Sequence, residues 1–205
     1  QHSQSPYSMF MNLAGLKMII PSTPYDLKGL LKTAIRDNNP VISFECGRIG
    51  GQKGPVPEEE YTIPLGKADV KREGSDVTVV ALAWMVPEAL AAAETLAGEG
   101  ISVEVVDPRC LVPLDEAAIR ASVRKTGRLV VADEAVPTAG VSAEIAAIVT
   151  EDPATVQALT APVRRVCSQP VPSPYTPGLE DFVFPDRNKI AAGVREVLGR
   201  SPVAA

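Results

Sequence analysis

The chain has 205 residues, a formal net charge of −5 and a hydrophobic fraction of 45%. This length suffices for one complete domain and part of another, with the composition of an ordinary globular protein. The acidic balance, without any run of Lys or Arg, excludes nucleic acid and anionic membrane surfaces as expected partners, and no apolar run is long enough to span a bilayer.

The first pattern along the chain predicts a strand, a helix and a second strand. Residues 16–20 form an apolar run typical of a buried strand. Thr23 and Pro24 then mark the N-cap and the first position of a helix, and Pro40 ends that helix. Residues 41–44 form the next strand, so the pattern is a βαβ unit with parallel strands.

Residues 47–75 have the composition of a linker, with one short strand expected around residues 61–63. The glycines from Gly47 to Gly54 invite interpretation as a phosphate-binding loop. However, Lys53 is not followed by Ser or Thr, and prolines follow where that motif needs a helix. A flexible loop is therefore favoured.

From residue 76 onwards, strands and helices alternate. Strands are expected at residues 77–82, 103–106, 129–132 and 163–167, with helices between them and a last helix that includes residues 190–198. Because the strands are apolar at consecutive positions, both faces of their sheet are buried. The fold class is α/β, with a three-layer domain around a mostly parallel sheet.

Acidic residues follow several predicted strands, where open α/β sheets gather ligands. They are Glu45, Asp107 and the pair Asp133-Glu134. No His or Ser accompanies them as a catalytic partner, and no G-x-G-x-x-G motif follows the strand at 77–82. We therefore expect these acids to have structural or interfacial roles.

The three cysteines, Cys46, Cys110 and Cys167, are widely spaced and form no C-x-x-C pair. A metal centre or a disulfide framework predicts closer or paired spacing. We expect free, buried thiols in a reducing compartment.

His2 is the single histidine of the chain. Its unperturbed pKa allows proton exchange near neutral pH, and it precedes the βαβ unit. It is a candidate catalytic residue, with a structural, hydrogen-bonded histidine as the alternative. Since Gln1 is not an initiator Met and no element precedes it, we expect the chain to be the C-terminal portion of a longer protein.

Several motifs are spread over the whole chain. They are QHSQS (1–5), PSTPYD (21–26), AIRDNNP (34–40), VDPR (106–109), DEA (133–135) and APV (161–163). Together they resemble the beta subunit of the thiamine-diphosphate-dependent first component of 2-oxo acid dehydrogenase complexes, of the pyruvate, branched-chain and acetoin types.

The resemblance implies the domain organisation and the partners. Residues 1–46 would be the C-terminal part of a pyrimidine-binding domain, 47–75 a linker, and 76–205 a transketolase C-terminal-like domain. Thiamine diphosphate with magnesium would lie between alpha and beta subunits of a heterotetramer, and its activating glutamate would precede Gln1. No cofactor-binding residue is therefore expected in this chain. Expected partners are the alpha subunit, a second beta subunit and a lipoyl acyltransferase core, in the bacterial cytoplasm rather than the mitochondrial matrix.

The resemblance also implies two sets of site residues. His2 would handle a proton or orient the intermediate while the acyl group passes to a lipoyl arm. Ala34, Ile35, Asp37 and Asn39 would form a potassium site built mainly from main-chain oxygens at the end of a helix. The alternative for these four residues is a helix C-cap.

The expected activity is that of a pyruvate-like dehydrogenase, with acetoin dehydrogenase as one alternative. Thr160 stands where the family often has an acidic residue that docks the acyltransferase core, which puts that docking in doubt or indicates the acetoin branch. A second alternative is a non-catalytic dimerisation and docking module. In either case the isolated chain is expected to be inactive.

Overall fold

The computed structural model describes residues 3–200, which form two sheets surrounded by helices. The strands are β1 (Lys17–Ile19), β2 (Val41–Ser43), β3 (Asp69–Arg72), β4 (Val77–Ala81), β5 (Val103–Asp107), β6 (Cys110–Val112), β7 (Leu129–Asp133) and β8 (Arg164–Cys167). The helices are α1 (Tyr7–Met11), α2 (Pro24–Arg36), α3 (Met85–Ala97), α4 (Glu116–Thr126), α5 (Val141–Glu151), α6 (Pro153–Ala158), α7 (Pro177–Val183) and α8 (Arg187–Val197).

The first sheet contains the predicted βαβ unit. Strands β1 and β2 are parallel, and helix α2 connects them. The Thr23 side chain accepts a hydrogen bond from the Asp26 backbone N–H at 3.1 Å, as expected of an N-cap. Strand β6, from the second half of the chain, pairs antiparallel with β1, so the sheet order is β2-β1-β6.

The second sheet forms the centre of a three-layer α/β domain. Its order is β3-β5-β4-β7-β8, with β3 antiparallel and the other strands parallel. Every residue of β4, β5 and β7 is buried. Helices α3 and α8 cover one face, and α4 and α5 cover the other. The predicted fold class is confirmed. No helix between residues 3 and 200 is long and apolar enough to cross a membrane.

The predicted strand at residues 61–63 is wrong. Ile63 is buried, but its backbone bonds to helix α2: its N–H donates to the Gly29 carbonyl at 3.2 Å, and its carbonyl accepts from the Thr33 hydroxyl at 2.7 Å. The apolar character of this segment therefore reflects packing on a helix. The sequence did not predict two strands, β3 and β6. Strand β3 lies within residues 47–75 and is largely polar because it is an edge strand.

A buried charge cluster joins the two sheets. Asp26, at the start of α2, is fully buried and bonds to the Lys71 ammonium at 2.7 Å and to the Arg109 guanidinium at 3.2 Å. Lys71 also lies 3.7 Å from the Asp107 carboxylate, which accepts a hydrogen bond from the Ser22 hydroxyl at 2.5 Å. Although burial raises the pKa of Asp26, hydrogen bonds from Lys71 and other donors outweigh it, and the net shift is downward.

We predict that Lys71→Met destabilises the fold by about 3 kcal/mol, because it leaves the Asp26 carboxylate buried with one cationic partner fewer. Urea unfolding followed by circular dichroism measures this loss. Lys53→Met, in the exposed loop, is the control and should change stability by less than about 0.5 kcal/mol. Equal free energies of unfolding of the two variants would show that the charge cluster does not stabilise the fold.

Candidate active site

A cavity of about 310 Å³ lies at the carboxyl ends of the strands. Four of its lining residues follow strands of both sheets: Ile20 follows β1, Glu45 lies just beyond β2, Ala83 lies just beyond β4, and Glu134 follows β7. Residues 3–5 form another wall. Ligands of open α/β sheets bind at this end of the strands, so the cavity is the candidate active site.

The predicted catalytic residue, His2, lies outside the described residues. Ser3, which follows it directly in the sequence, lines the cavity. The role of His2 therefore stays a prediction.

A buried tyrosine–carboxylate pair holds helix α1 beside this cavity. Tyr7, 1% exposed, donates its hydroxyl proton to Oδ1 of Asp133, which is fully buried at the end of β7. The Tyr7 ring also packs edge-on against Phe44, with ring centroids 5.7 Å apart. Asp133 Oδ2 is buried without a hydrogen-bond partner in the described part of the chain, and burial raises the pKa of this carboxyl to about 6.

Glu134 lies on the cavity wall and accepts two hydrogen bonds from the first part of the chain. The Ser5 hydroxyl donates to Oε1 at 2.7 Å, and the Cys46 thiol donates to Oε2 at 3.5 Å. Burial, reinforced by the Glu134 charge, raises the pKa of Cys46 to about 11. Cys46 is therefore protonated at neutral pH and is a poor nucleophile.

The three cysteines are free, as predicted. Cys110 is buried, whereas Cys46 and Cys167 are only partly buried.

Arg48 closes one side of the cavity. Its guanidinium carbon lies 4.3 Å from the centroid of the Trp84 ring and 5.0 Å from that of Phe184, and its Nη2 lies 3.2 Å from a Glu180 carboxylate oxygen. Arg48 belongs to a short 3₁₀ helix, Gly47–Ile49, within the glycine-rich segment. No α-helix follows this segment directly, so the phosphate-loop geometry is absent, as the sequence analysis favoured.

The expected potassium site coincides with the C-terminal end of α2. The Asp37 carboxylate accepts a hydrogen bond from the Lys17 ammonium at 2.6 Å and another from the Asn39 backbone N–H at 2.8 Å. These bonds, with that of Lys17 the strongest, lower the pKa of Asp37 to about 2. The Ala34 carbonyl already accepts from the Asp37 N–H, and the Ile35 side chain is 81% exposed.

These contacts fit a helix C-cap neutralised by Lys17. Within residues 3–200, no group of three or more His, Cys, Asp or Glu side chains could hold a metal ion. A potassium site on Ala34, Ile35, Asp37 and Asn39 would depend mainly on main-chain oxygens. These contacts do not test it, and of the two alternatives they favour the C-cap.

Two family models match the chain. The model described as the C-terminal domain of transketolase matches residues 66–190, and the model of the transketolase pyrimidine-binding domain matches residues 1–47. The chain belongs to the transketolase family. Its described fold and the position of the cavity at the strand ends agree with this membership.

Similar proteins include beta subunits of enzyme complexes. The chain is 49% identical over 199 residues to the beta subunit of an acetoin:2,6-dichlorophenolindophenol oxidoreductase of Bacillus subtilis. This match covers 97% of the chain and 58% of the Bacillus protein. It is 44% identical over 205 residues to a mitochondrial pyruvate dehydrogenase E1 component subunit beta-1 of Arabidopsis thaliana, covering 98% and 56%. The chain thus spans little more than half the length of these relatives.

A solved structure shows the same fold. It is described as a split-gene transketolase in an inactive beta4 tetramer, with a TM-score of 0.78 and 28% sequence identity. The match covers 94% of this chain and 60% of the other.

We predict a pH-dependent effect of Asp133→Asn. Because burial raises the pKa of Asp133 from 3.8 to about 6, the folded chain binds this proton more tightly than the unfolded chain. The resulting stabilisation is complete below about pH 4 and is lost as the pH rises through about 6. Between about pH 4 and about pH 7, the free energy of unfolding of the variant relative to the wild type should therefore rise by about 3 kcal/mol. Parallel pH profiles of the two proteins in urea unfolding would contradict the raised pKa of the buried Asp133 carboxyl.

We also predict that potassium does not stabilise the turn at Asp37, because the Lys17 ammonium already neutralises this carboxylate. Thermal melting in potassium chloride and in sodium chloride at equal ionic strength should give the same melting temperature. Lys17→Met should lower that temperature in sodium chloride. A potassium-specific rise in the wild type would support the cation site instead.

Proposed function

We propose that the chain forms part of the beta subunit of a thiamine-diphosphate-dependent dehydrogenase that transfers an acyl group to a lipoyl domain. The observation that carries this proposal is the cavity at the carboxyl ends of the strands, one wall of which follows His2 directly. The match of residues 1–47 to a pyrimidine-binding domain and the beta-subunit relatives support the same function.

The side chains that line the cavity suit the reactive end of thiamine diphosphate and do not suit its diphosphate group. Glu45, Glu134 and Glu180 line the cavity, and their negative charges would repel phosphate. A diphosphate with magnesium would therefore be held by the alpha subunit. When bound, thiamine diphosphate supplies the carbanion chemistry that cleaves the substrate.

We propose that this chain contributes a proton donor and part of the wall of the active-site cavity. An imidazole such as that of His2 can donate a proton to the thiolate that develops when the acyl group leaves for a lipoyl disulfide. Ile20, Phe44 and Ala83 supply apolar surface to the cavity, which helps to exclude water from the reacting groups.

A pyruvate-like 2-oxo acid is the substrate expected from the sequence, and acetoin is the alternative, which we propose here. Two observations favour acetoin. The identity to the acetoin oxidoreductase subunit is 49%, against 44% for the pyruvate dehydrogenase subunit. In addition, Arg48 at the cavity is already paired with Glu180, and the carboxylates of Glu45 and Glu134 also line the cavity. The electrostatic field in the cavity therefore favours a neutral substrate over a carboxylate.

Expected partners are the alpha subunit, a second beta subunit and a lipoyl acyltransferase core. The bacterial cytoplasm is the proposed location. Both bacterial and mitochondrial proteins occur among the relatives, so their names do not separate these two locations.

The rival proposal is a non-catalytic dimerisation and docking module. Isothermal titration of this chain alone with thiamine diphosphate and magnesium bears on both proposals. We expect no detectable binding, because the activating glutamate is expected before Gln1. Binding of thiamine diphosphate to this chain alone with a micromolar dissociation constant would contradict a cofactor site that depends on residues outside the chain.

The decisive experiment uses the full-length protein with its alpha subunit. We expect thiamine-dependent reduction of dichlorophenolindophenol, faster with acetoin than with pyruvate. His2→Asn should slow acyl transfer to a lipoyl domain by about 10²- to 10⁴-fold, because the proton donor is lost, while cofactor affinity stays unchanged. Turnover of neither substrate by the wild-type complex would favour the docking module.

A further inference from the structure

Glu134 connects three walls of the cavity. The residue itself lies just beyond the end of β7, Ser5 belongs to the segment that follows His2, and Cys46 belongs to the loop after β2. The hydroxyl of Ser5 and the thiol of Cys46 donate to different oxygens of the one carboxylate, at 2.7 Å and 3.5 Å. A carboxylate that accepts from two segments fixes their separation as well as their orientation.

The backbone that carries Glu134 is itself fixed. The Ser168 hydroxyl, beyond the end of β8, donates to the Glu134 carbonyl at 2.5 Å. On the two neighbouring residues, the Ala135 N–H donates to Asp133 Oδ1 at 3.0 Å, and the Ala135 carbonyl accepts from the Ser168 N–H at 3.1 Å. The Glu134 side chain therefore projects from a rigid support, which is the requirement for holding another group in place.

Helix α1 carries a second contact of the same kind. Tyr7, two residues after Ser5, donates to Asp133, one residue before Glu134. The segment after His2 is thus attached to the end of β7 at two adjacent points, and both residues of the Ser5–Glu134 contact line the cavity.

We infer that Glu134 is a positioning residue for the reaction: through Ser5 it holds residues 3–5, the segment that follows His2 in the sequence, as a wall of the cavity. This inference rests on the proposed function. It differs from a purely structural role because a displaced proton donor lowers the rate of the chemical step, and a misplacement of about 1 Å can cost up to about 10²-fold in rate.

The test uses the full-length alpha–beta complex with two readouts. Glu134→Gln keeps the size of the side chain but loses the charge that both donors share, and Ser5→Ala removes one donor. Each should lower kcat for acyl transfer by about 10- to 100-fold with little change in KM, and the double variant should be no worse than the single ones. Ser5→Thr, which keeps the hydroxyl, should restore the rate. Ser8→Ala removes a hydroxyl that does not bond to Glu134 and is the matched control.

Hydrogen–deuterium exchange of the peptide covering residues 3–11 is the second readout and does not depend on activity. It should rise in Glu134→Gln and Ser5→Ala and not in Ser8→Ala. Unchanged exchange, additive effects on kcat, or faster exchange with a wild-type kcat would each overturn the positioning role. If the wild-type complex is inactive on both substrates while exchange rises, the proposed function fails and the Ser5–Glu134 contact still stands.

Discussion

Two buried carboxylates, at the ends of strands β5 and β7, join the first part of the chain to the large sheet. Asp107 ends β5 and accepts from the Ser22 hydroxyl, and Asp133 ends β7 and accepts from the Tyr7 hydroxyl. Both strands flank β4 at the centre of the sheet. Burial raises the pKa of each carboxyl to about 6, so both sites carry a desolvation cost. Hydrogen-bond donors partly offset this cost at both sites, and the Lys71 ammonium offsets it further at Asp107. These contacts hold helix α1 and the segment after β1 against the large sheet.

The cavity is a consequence of that arrangement. With β1 and β2 held beside the large sheet, the carboxyl ends of strands from both sheets face one space. The side chains that line this space include Ser5, Glu45, Cys46, Arg48, Glu134 and Glu180. The raised pKa of Cys46 makes its thiol a poor nucleophile, and Arg48 is paired with Glu180. Among the described cavity residues there is therefore no evident nucleophile and no unpaired cation. The proposed function assigns bond cleavage to the cofactor and gives this chain the wall of the site.

The regular elements could be predicted because their signals are local. The Thr23 N-cap, the helical spacing of α2 and the apolar runs of β4, β5 and β7 depend on neighbouring residues in the sequence. The expectation that the strand-end acids have interfacial roles also follows from their position. Their partners could not be predicted, since Tyr7 and Asp133 are far apart in the chain and nothing in a single sequence pairs them. Strand β6 could not be predicted for the same reason, because it has three residues and its partner is the distant β1. Strand β3 was missed because its polar pattern resembles a loop.

A structure of the full-length alpha–beta complex with thiamine diphosphate bound tests the proposed site most directly. We expect the reactive carbon of the cofactor to face the cavity lined by residues 3–5 and Glu134, with the diphosphate held by the alpha subunit. A cofactor bound on another face of this chain, or with its diphosphate against Glu45 and Glu134, would contradict it.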